Sequence, residues 1–210
     1  IIDNSWATPL FQKPIQHGVD IVIHAASKYL GGHSDTVAGV VVGSKEAIAR
    51  INATSYPYVG AKLSPFEAWL LLRGMRTLRV RLKEHERSGL LLAGRLKEHS
   101  AIGRVRHPAF QEHPGRATLT GYAGLFAFDL NPDIDVARFV NSLRDIRLGV
   151  SWGGPETLVV PAKVALQIPD RMTSFIRFGV SEQTVRFAVG LEEPELLWSD
   201  LQQALHAAKR

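Results

Sequence analysis

The apolar residues of this chain fall in short runs of strand length, and this spacing limits the folds that the chain can adopt. One run covers Val19–His24 after a glycine, and another covers Thr36–Val42 between glycines. Runs of this kind are typical of buried strands in a parallel sheet. Because no run approaches the roughly 20 apolar residues that span a bilayer, we expect no membrane partner.

Helix signals lie between and after these runs. Ser64 is predicted to cap a helix that has Pro65 at its first position and Glu67 three residues after the cap. The helical pattern continues toward Lys97, and its glycines predict a bend or break near Gly74 and Gly89.

The second half of the chain alternates short strand and helix patterns. Strands are predicted at Gly103–Arg106, Leu125–Asp129, Arg147–Val150 and Thr184–Val189, and helices near Asp135–Leu143 and Pro194–Ala208. This alternation indicates a layered α/β or α+β domain. We therefore predict two domains, covering residues 1–85 and 86–210.

Composition narrows the class of protein. Hydrophobic residues make up 45% of the 210 residues and charged residues 21%, which excludes a disordered chain. The absence of cysteine rules out disulfides, thiolate nucleophiles and cysteine-based zinc sites. A chain without cysteine is compatible with the cytoplasm, where we expect the protein to act.

The first three residues resemble the end of a buried strand. Ile1-Ile2-Asp3 has no initiator methionine before it and no signal peptide. We therefore expect the sequence to be the C-terminal part of a longer chain, and residues 1–210 alone to be inactive.

Two strand ends carry side chains suited to chemistry. Asp3 ends the first apolar segment, and Lys28 follows the Val19–His24 run with Ser27 beside it. In parallel α/β sheets, ligands bind at the carboxyl ends of the strands. A carboxylate and an amine are therefore expected in one crevice.

Six sequence blocks together resemble the pyridoxal phosphate (PLP) enzymes of cysteine and methionine metabolism. They occur in the family's order and cover almost the whole chain: Asp3–Pro9, His17–Val22, Ser27–Asp35, Ser64–Leu78, Ser151–Leu158 and Val185–Glu192. The resemblance implies the α/β fold of PLP-dependent transferases, the aspartate aminotransferase-like fold type I. Residues 1–85 would then be the end of the PLP-binding large domain and residues 86–210 the small C-terminal domain.

The resemblance also implies roles for individual residues. Lys28 would bind the cofactor as a Schiff base, Asp3 would pair with the pyridine nitrogen, and Ser27 would bind the cofactor phosphate. Ala25 stands where many members have a second hydroxyl, so one phosphate contact of the family is missing. Arg186 would bind the substrate α-carboxylate, for which its planar guanidinium is suited.

Two aromatic positions bear on the reaction. Ser151 would line the carboxylate pocket, and Trp152 after it, together with Trp6, resembles the cystathionine β-lyase branch of the family. The resemblance thus implies a lyase that cleaves cystathionine to homocysteine, pyruvate and ammonia. Related γ-lyases, γ-synthases and methionine γ-lyases remain alternatives, and they more often carry leucine where Trp152 stands. The family resemblance also implies a homo-oligomer, a dimer or a tetramer built from dimers.

Two other kinds of site are less well supported by the sequence. His24, His33 and Asp35 lack the paired spacing of a metal site, so no metal is expected. A basic run could suggest a nucleic-acid-binding domain, but glutamates interrupt it and a solvated helix face explains it better. This run consists of Arg73, Arg76, Arg79, Arg81, Lys83 and Arg87.

Overall fold

A computed structural model describes residues 1–60, 63–166 and 173–210 of the chain. Two compact units are present. The first contains residues 1–83 with 114–123, and the second contains residues 84–113 with 124–210. Each unit has its own β-sheet.

The first unit is built around a three-stranded sheet. Its elements are β1 (Ile2–Asp3), α1 (Thr8–Phe11), β2 (Ile21–Ala25), β3 (Gly39–Gly43), α2 (Lys45–Val59) and the first part of α3 (Pro65–Glu98). The strand order is β1-β2-β3, and β1 runs parallel to β2 with Asp3 opposite Ile23. The carboxyl ends of β1 and β2 therefore lie at the same edge of the sheet.

The direction of β3 differs from the sequence-based prediction. The run at Thr36–Val42 was expected to form a buried parallel strand, whereas β3 pairs antiparallel with β2, with Val22 opposite Val42. A parallel neighbour needs a crossover connection, usually a helix, and the segment between β2 and β3 contains none. Val41 and Val42 are partly exposed, at 43% and 41%.

The helix start predicted at Ser64 is confirmed. Ser64 Oγ accepts from the Glu67 backbone N–H at 3.2 Å, and Glu67 Oε2 accepts from the Ser64 backbone N–H at 3.2 Å. The predicted break is wrong, because α3 is continuous through Gly74 and Gly89. A glycine inside a helix costs roughly 1 kcal/mol relative to alanine, which packing can offset.

The second unit has a five-stranded sheet that is largely antiparallel. After α3 come β4 (Ile102–Arg106), β5 (Leu125–Leu130), α4 (Val136–Ser142), β6 (Arg147–Leu148), β7 (Leu158–Pro161), α5 (Ala162–Leu166), α6 (Ser174–Arg177), β8 (Thr184–Ala188) and α7 (Pro194–Ala207). The strand order is β4-β5-β8-β7-β6, in which β6 and β7 are parallel. The short strand β7 was not predicted from the sequence.

Aromatic side chains form the centre of the second unit. Phe128 and Phe187 are fully buried, and their ring centroids lie 6.1 Å apart in an edge-to-face arrangement. Phe126 and Phe139 extend this cluster with further edge-to-face contacts. Apolar side chains of α3, α4 and α7 close the core. None of the helices in the described ranges combines the length and apolarity that a membrane crossing needs.

Candidate active site

Asp3 lies at the carboxyl end of β1 and is held in one orientation by Ser5. Its Oδ1 accepts from the Ser5 hydroxyl at 2.6 Å and from the Ser5 backbone N–H at 2.9 Å. These two hydrogen bonds, with a smaller contribution from the nearby His24, lower the pKa of Asp3 below its ordinary value. Asp3 is therefore a carboxylate that stays ionised in mildly acidic solution.

Ser5 also connects the ends of the two parallel strands. While its hydroxyl donates to Asp3, the same oxygen accepts from the backbone N–H of Ala25 at 2.6 Å. The sequence analysis assigned Ser5 no role. A hydroxyl two residues after an aspartate is the local signal that could have identified it, since such side chains bond to nearby turn groups.

The loop after Asp3 is fixed by Asn4. The Asn4 side-chain amide donates to the carbonyls of Thr8 at 3.2 Å and Gln12 at 3.1 Å, and its backbone N–H donates to Ile23 at 2.8 Å. Thr8 is fully buried and has a φ of 58°, which is rare for a β-branched residue. Strained backbone of this kind is concentrated at functional sites.

Lys28 lies in a tight turn directly after β2. Its backbone N–H donates to the Ala25 carbonyl at 3.0 Å, and its carbonyl accepts from the Gly32 N–H at 2.7 Å. The side chain is half-buried. The structure thus places Asp3 and Lys28 at the carboxyl ends of neighbouring parallel strands, as their positions in the sequence predicted.

The hydroxyl of Ser27 is engaged with the backbone of Ala38. It accepts from the Ala38 N–H at 2.9 Å and donates to the Ala38 carbonyl at 3.3 Å. The second of these bonds is long, so the donor is only weakly held. Binding an anion through this hydroxyl requires that it exchange the Ala38 carbonyl for the new acceptor.

Arg186 belongs to the second unit, where the structure brings it together with Ser151. From the middle of β8, its Nη2 donates to the carbonyls of Val150 at 2.5 Å and Ser151 at 3.3 Å. Within the described ranges both of its hydrogen bonds come from Nη2, which leaves Nε and Nη1 for a ligand. Burial lowers the pKa of Arg186, and the guanidinium remains a cation because its ordinary pKa is so high. Trp152 follows Ser151 and is half-buried.

A second set of contacts fixes the segment after Trp152. Glu192 accepts from the Thr157 backbone N–H and from the Thr157 hydroxyl, both at 2.6 Å. The Thr157 hydroxyl accepts in turn from the Gly190 N–H at 2.8 Å. These residues were not assigned roles from the sequence, because their pairing links positions far apart in the chain.

Comparison with family models shows which family the chain belongs to. The family model described as Cys/Met metabolism PLP-dependent enzyme matches residues 1–206. The chain belongs to this family. The resemblance inferred from the sequence blocks is therefore confirmed, and members of the family use pyridoxal phosphate as their cofactor.

The relatives of this chain within the PLP-dependent family are named as different enzymes. Cystathionine β-lyase of Lactococcus lactis subsp. cremoris is 36% identical over 98% of this chain and 55% of its own length. A cystathionine γ-synthase/O-acetylhomoserine (thiol)-lyase of Bacillus subtilis is 38% identical over 100% of this chain and 53% of its own length. The chain thus spans about half the length of the curated relatives that it matches.

A solved structure shows the same fold. The crystal structure of cystathionine γ-lyase from Lactobacillus plantarum, complexed with L-serine, has a TM-score of 0.90 and 33% identity, over 99% of this chain and 55% of that one. The predicted fold class, a PLP-dependent transferase-like α/β fold of type I, is therefore confirmed.

The side chains of the first unit fit the family's cofactor. Asp3 supplies a lone ionised carboxylate for a protonated ring nitrogen, Lys28 supplies an amine, and Ser27 supplies a weakly held hydroxyl. Enzymes with this cofactor bind it through a lysine and place an aspartate or an arginine at its ring nitrogen. No group of three or more His, Asp or Glu side chains in the described part of the chain could hold a metal ion.

Proposed function

We propose that this protein is a PLP-dependent carbon–sulfur lyase. It converts cystathionine, with uptake of water, into homocysteine, pyruvate and ammonia. The observation that supports it most is the pair formed by an ionised Asp3 and Lys28 at neighbouring strand ends, in a chain that belongs to this family. Trp152 in Ser-Trp-Gly-Gly favours β-elimination over the γ reactions. In this proposal the first unit belongs to the cofactor domain and the second to the small domain.

Each residue of the first unit has a separate task toward the cofactor. When bound, pyridoxal phosphate accepts the electron pair that is released at the substrate α-carbon. Asp3, through its negative charge, would favour the protonated form of the ring nitrogen. Lys28 would hold the cofactor covalently, and Ser27 would donate to its phosphate. Because Ala25 has no hydroxyl, the remaining phosphate contacts come from backbone N–H groups and from other parts of the protein.

Arg186 and Lys28 have separate tasks toward the substrate. Arg186 binds the substrate α-carboxylate through Nε and Nη1, the nitrogens that Val150 and Ser151 leave available. Lys28 Nζ, as a neutral amine, would take the α proton. The Cβ–S bond would then break, and the sulfur would leave as a thiolate that takes up a proton to give homocysteine. The remaining three-carbon fragment would take up water and release pyruvate and ammonia.

A γ-elimination or γ-replacement reaction is the second candidate. Relatives with comparable identity include a cystathionine γ-lyase of Bacillus subtilis at 34% and an L-methionine γ-lyase of Pseudomonas deceptionensis at 37%. The same residues could serve these reactions, since all of them begin with loss of the α proton. The bond that is cleaved is therefore the property to measure.

Product analysis distinguishes the two candidates. With cystathionine as the substrate of the intact protein, we expect homocysteine and pyruvate. Cysteine and 2-oxobutyrate would instead assign the protein to the γ-lyases. Absence of both product pairs would contradict the lyase proposal altogether.

Chemical labelling tests the role of Lys28. Borohydride reduction of the protein bound to pyridoxal phosphate should fix the cofactor on the peptide that contains Lys28. Lys28→Ala should abolish the labelling, whereas Lys45→Ala should retain it, because Lys45 is exposed at the start of α2. Labelling of a different lysine in the parent protein would show that the assignment is wrong.

A further inference from the structure

Arg81 is a buried cation in α3 that the proposed chemistry does not use. The sequence placed it on a solvated basic face, but in the structure it is only 7% exposed and its neighbour Arg79 is exposed. Within the described residues no carboxylate forms an ion pair with it. Burial lowers the pKa of Arg81. Keeping the guanidinium charged away from water therefore costs folding free energy.

The guanidinium of Arg81 uses all three of its nitrogens on neutral groups. Nη1 donates to the Tyr29 carbonyl at 2.9 Å, Nη2 donates to the Gly74 carbonyl at 2.8 Å, and Nε donates to the Thr77 hydroxyl at 3.0 Å. Tyr29 is the residue directly after Lys28, whereas Gly74 and Thr77 belong to α3. The side chain therefore links the Lys28 turn to the long helix.

The turn and the helix meet without space between them. A Cβ atom at Gly74 would lie 2.2 Å from the Gly31 carbonyl oxygen, and one at Gly32 would lie 1.9 Å from Arg81 Nη1. Gly32 also has a φ of 69° and donates its N–H to the Lys28 carbonyl at 2.7 Å. The turn that contains Lys28 is thus bonded to the Arg81 guanidinium at Tyr29 and packs closely against it at Gly32.

We propose that Arg81 is a positioning residue for Lys28, because its buried guanidinium bonds the carbonyl next to Lys28, that of Tyr29, to the Gly74 carbonyl of α3. An apolar side chain of similar length could fill the same space without the burial cost of a charge, but it could not bond to two carbonyls at once. A lysine could bond to one of them as a point charge. The inference rests on the proposed function, since it assumes that Lys28 binds the cofactor.

The test uses the intact protein and three substitutions. Arg81→Met removes the hydrogen bonds, Arg81→Lys keeps the charge, and Arg79→Met is the matched control on the exposed face of α3. For each, thermal unfolding of the cofactor-free protein reports the fold. Titration with pyridoxal phosphate reports the dissociation constant, and the absorption of the bound cofactor reports the pH midpoint of its titration.

We expect both Arg81 variants to fold, to bind pyridoxal phosphate on the order of 10-fold more weakly or worse, and to shift the pH midpoint. Arg79→Met should match the parent in all three measurements. A folded Arg81→Met or Arg81→Lys with the parent's dissociation constant and midpoint would overturn the inference. Failure of both variants to fold would also overturn it, because Arg81 would then serve stability.

Borohydride labelling of the parent separates this inference from the proposed function. A label outside Lys28 would contradict the proposed function itself. A label on Lys28, combined with Arg81 variants that match the parent, would contradict only the positioning role of Arg81.

Discussion

The hydroxyl of Ser5 makes two hydrogen bonds of 2.6 Å, one donated to Asp3 and one accepted from Ala25. The first is the largest cause of the lowered pKa of Asp3. A carboxylate with a lowered pKa in the folded protein protonates only at a pH below its ordinary value. Ser5 therefore extends the pH range in which Asp3 carries the negative charge that the proposed cofactor contact requires.

Replacement of Ser5 tests this dependence at the scale of single residues. In Ser5→Ala we expect the pKa of Asp3 to rise toward its ordinary value. The alanine keeps the backbone N–H donor but lacks the hydroxyl donor. Ser5→Thr keeps the hydroxyl and should keep the low pKa. Carbon-detected NMR titration of the Asp3 carboxyl group measures both variants, and equal values in Ser5→Ala and the parent would refute the explanation.

At the scale of elements, one carboxylate on α7 organises the segment between α4 and β6. Asp200 is 4% exposed and accepts from the backbone N–H groups of Arg144, Asp145 and Ile146, all at 2.9–3.1 Å. Burial by itself raises the pKa of Asp200, but these hydrogen bonds outweigh it and the net pKa is lowered. The buried charge is therefore stabilised by hydrogen bonds.

Asp200→Asn should destabilise the second unit by about 3 kcal/mol at neutral pH, because an amide can accept at only one of its two ends. The folded pKa lies below the unfolded one, so the stabilisation is present above the unfolded pKa and is lost as the pH falls. Urea unfolding in neutral and in acidic buffer measures the free energy of unfolding of Asp200→Asn and of the parent. The two values should converge in acid. Asp133→Asn, at an exposed position, is the control, and a constant difference at all pH values would contradict this account.

At the scale of the whole molecule, the chain covers 55% of the Lactococcus relative and 55% of the γ-lyase structure. The remainder of each of these two chains lies outside the part that matches residues 1–210. In residues 1–210, Ser27 is the one hydroxyl proposed for the phosphate. Val41 and Val42 of β3 are partly exposed apolar side chains, which favour association.

We therefore expect residues 1–210, expressed alone, to bind pyridoxal phosphate weakly, to release no pyruvate from cystathionine and to associate. Gel filtration with cofactor analysis of the eluted protein, followed by a pyruvate assay, measures all three. The intact protein is the control, and we propose that it is a homo-oligomer. Steady turnover by monodisperse residues 1–210 would contradict the expectation.

Features that depend on neighbours in the chain were predictable from the sequence. The capping pair of Ser64 and Glu67 acts over three residues, so the start of α3 was found correctly. The positions of Asp3 and Lys28 after short apolar runs predicted strand ends at one sheet edge, and the ordered sequence blocks identified the family. Their catalytic roles stay predictions.

Only the tertiary structure decided the features that depend on distant residues. The antiparallel direction of β3 follows from its connection to β2, and Gly74 lies inside α3 where a side chain would collide with Gly31. The same holds for Arg81, which by composition looked like one more solvated cation. Its burial arises because the Lys28 turn brings the Tyr29 carbonyl to α3, a contact between residues 52 positions apart. Hydrogen bonds between residues so far apart in the sequence depend on how the elements pack. A local pattern of residues does not predict that packing.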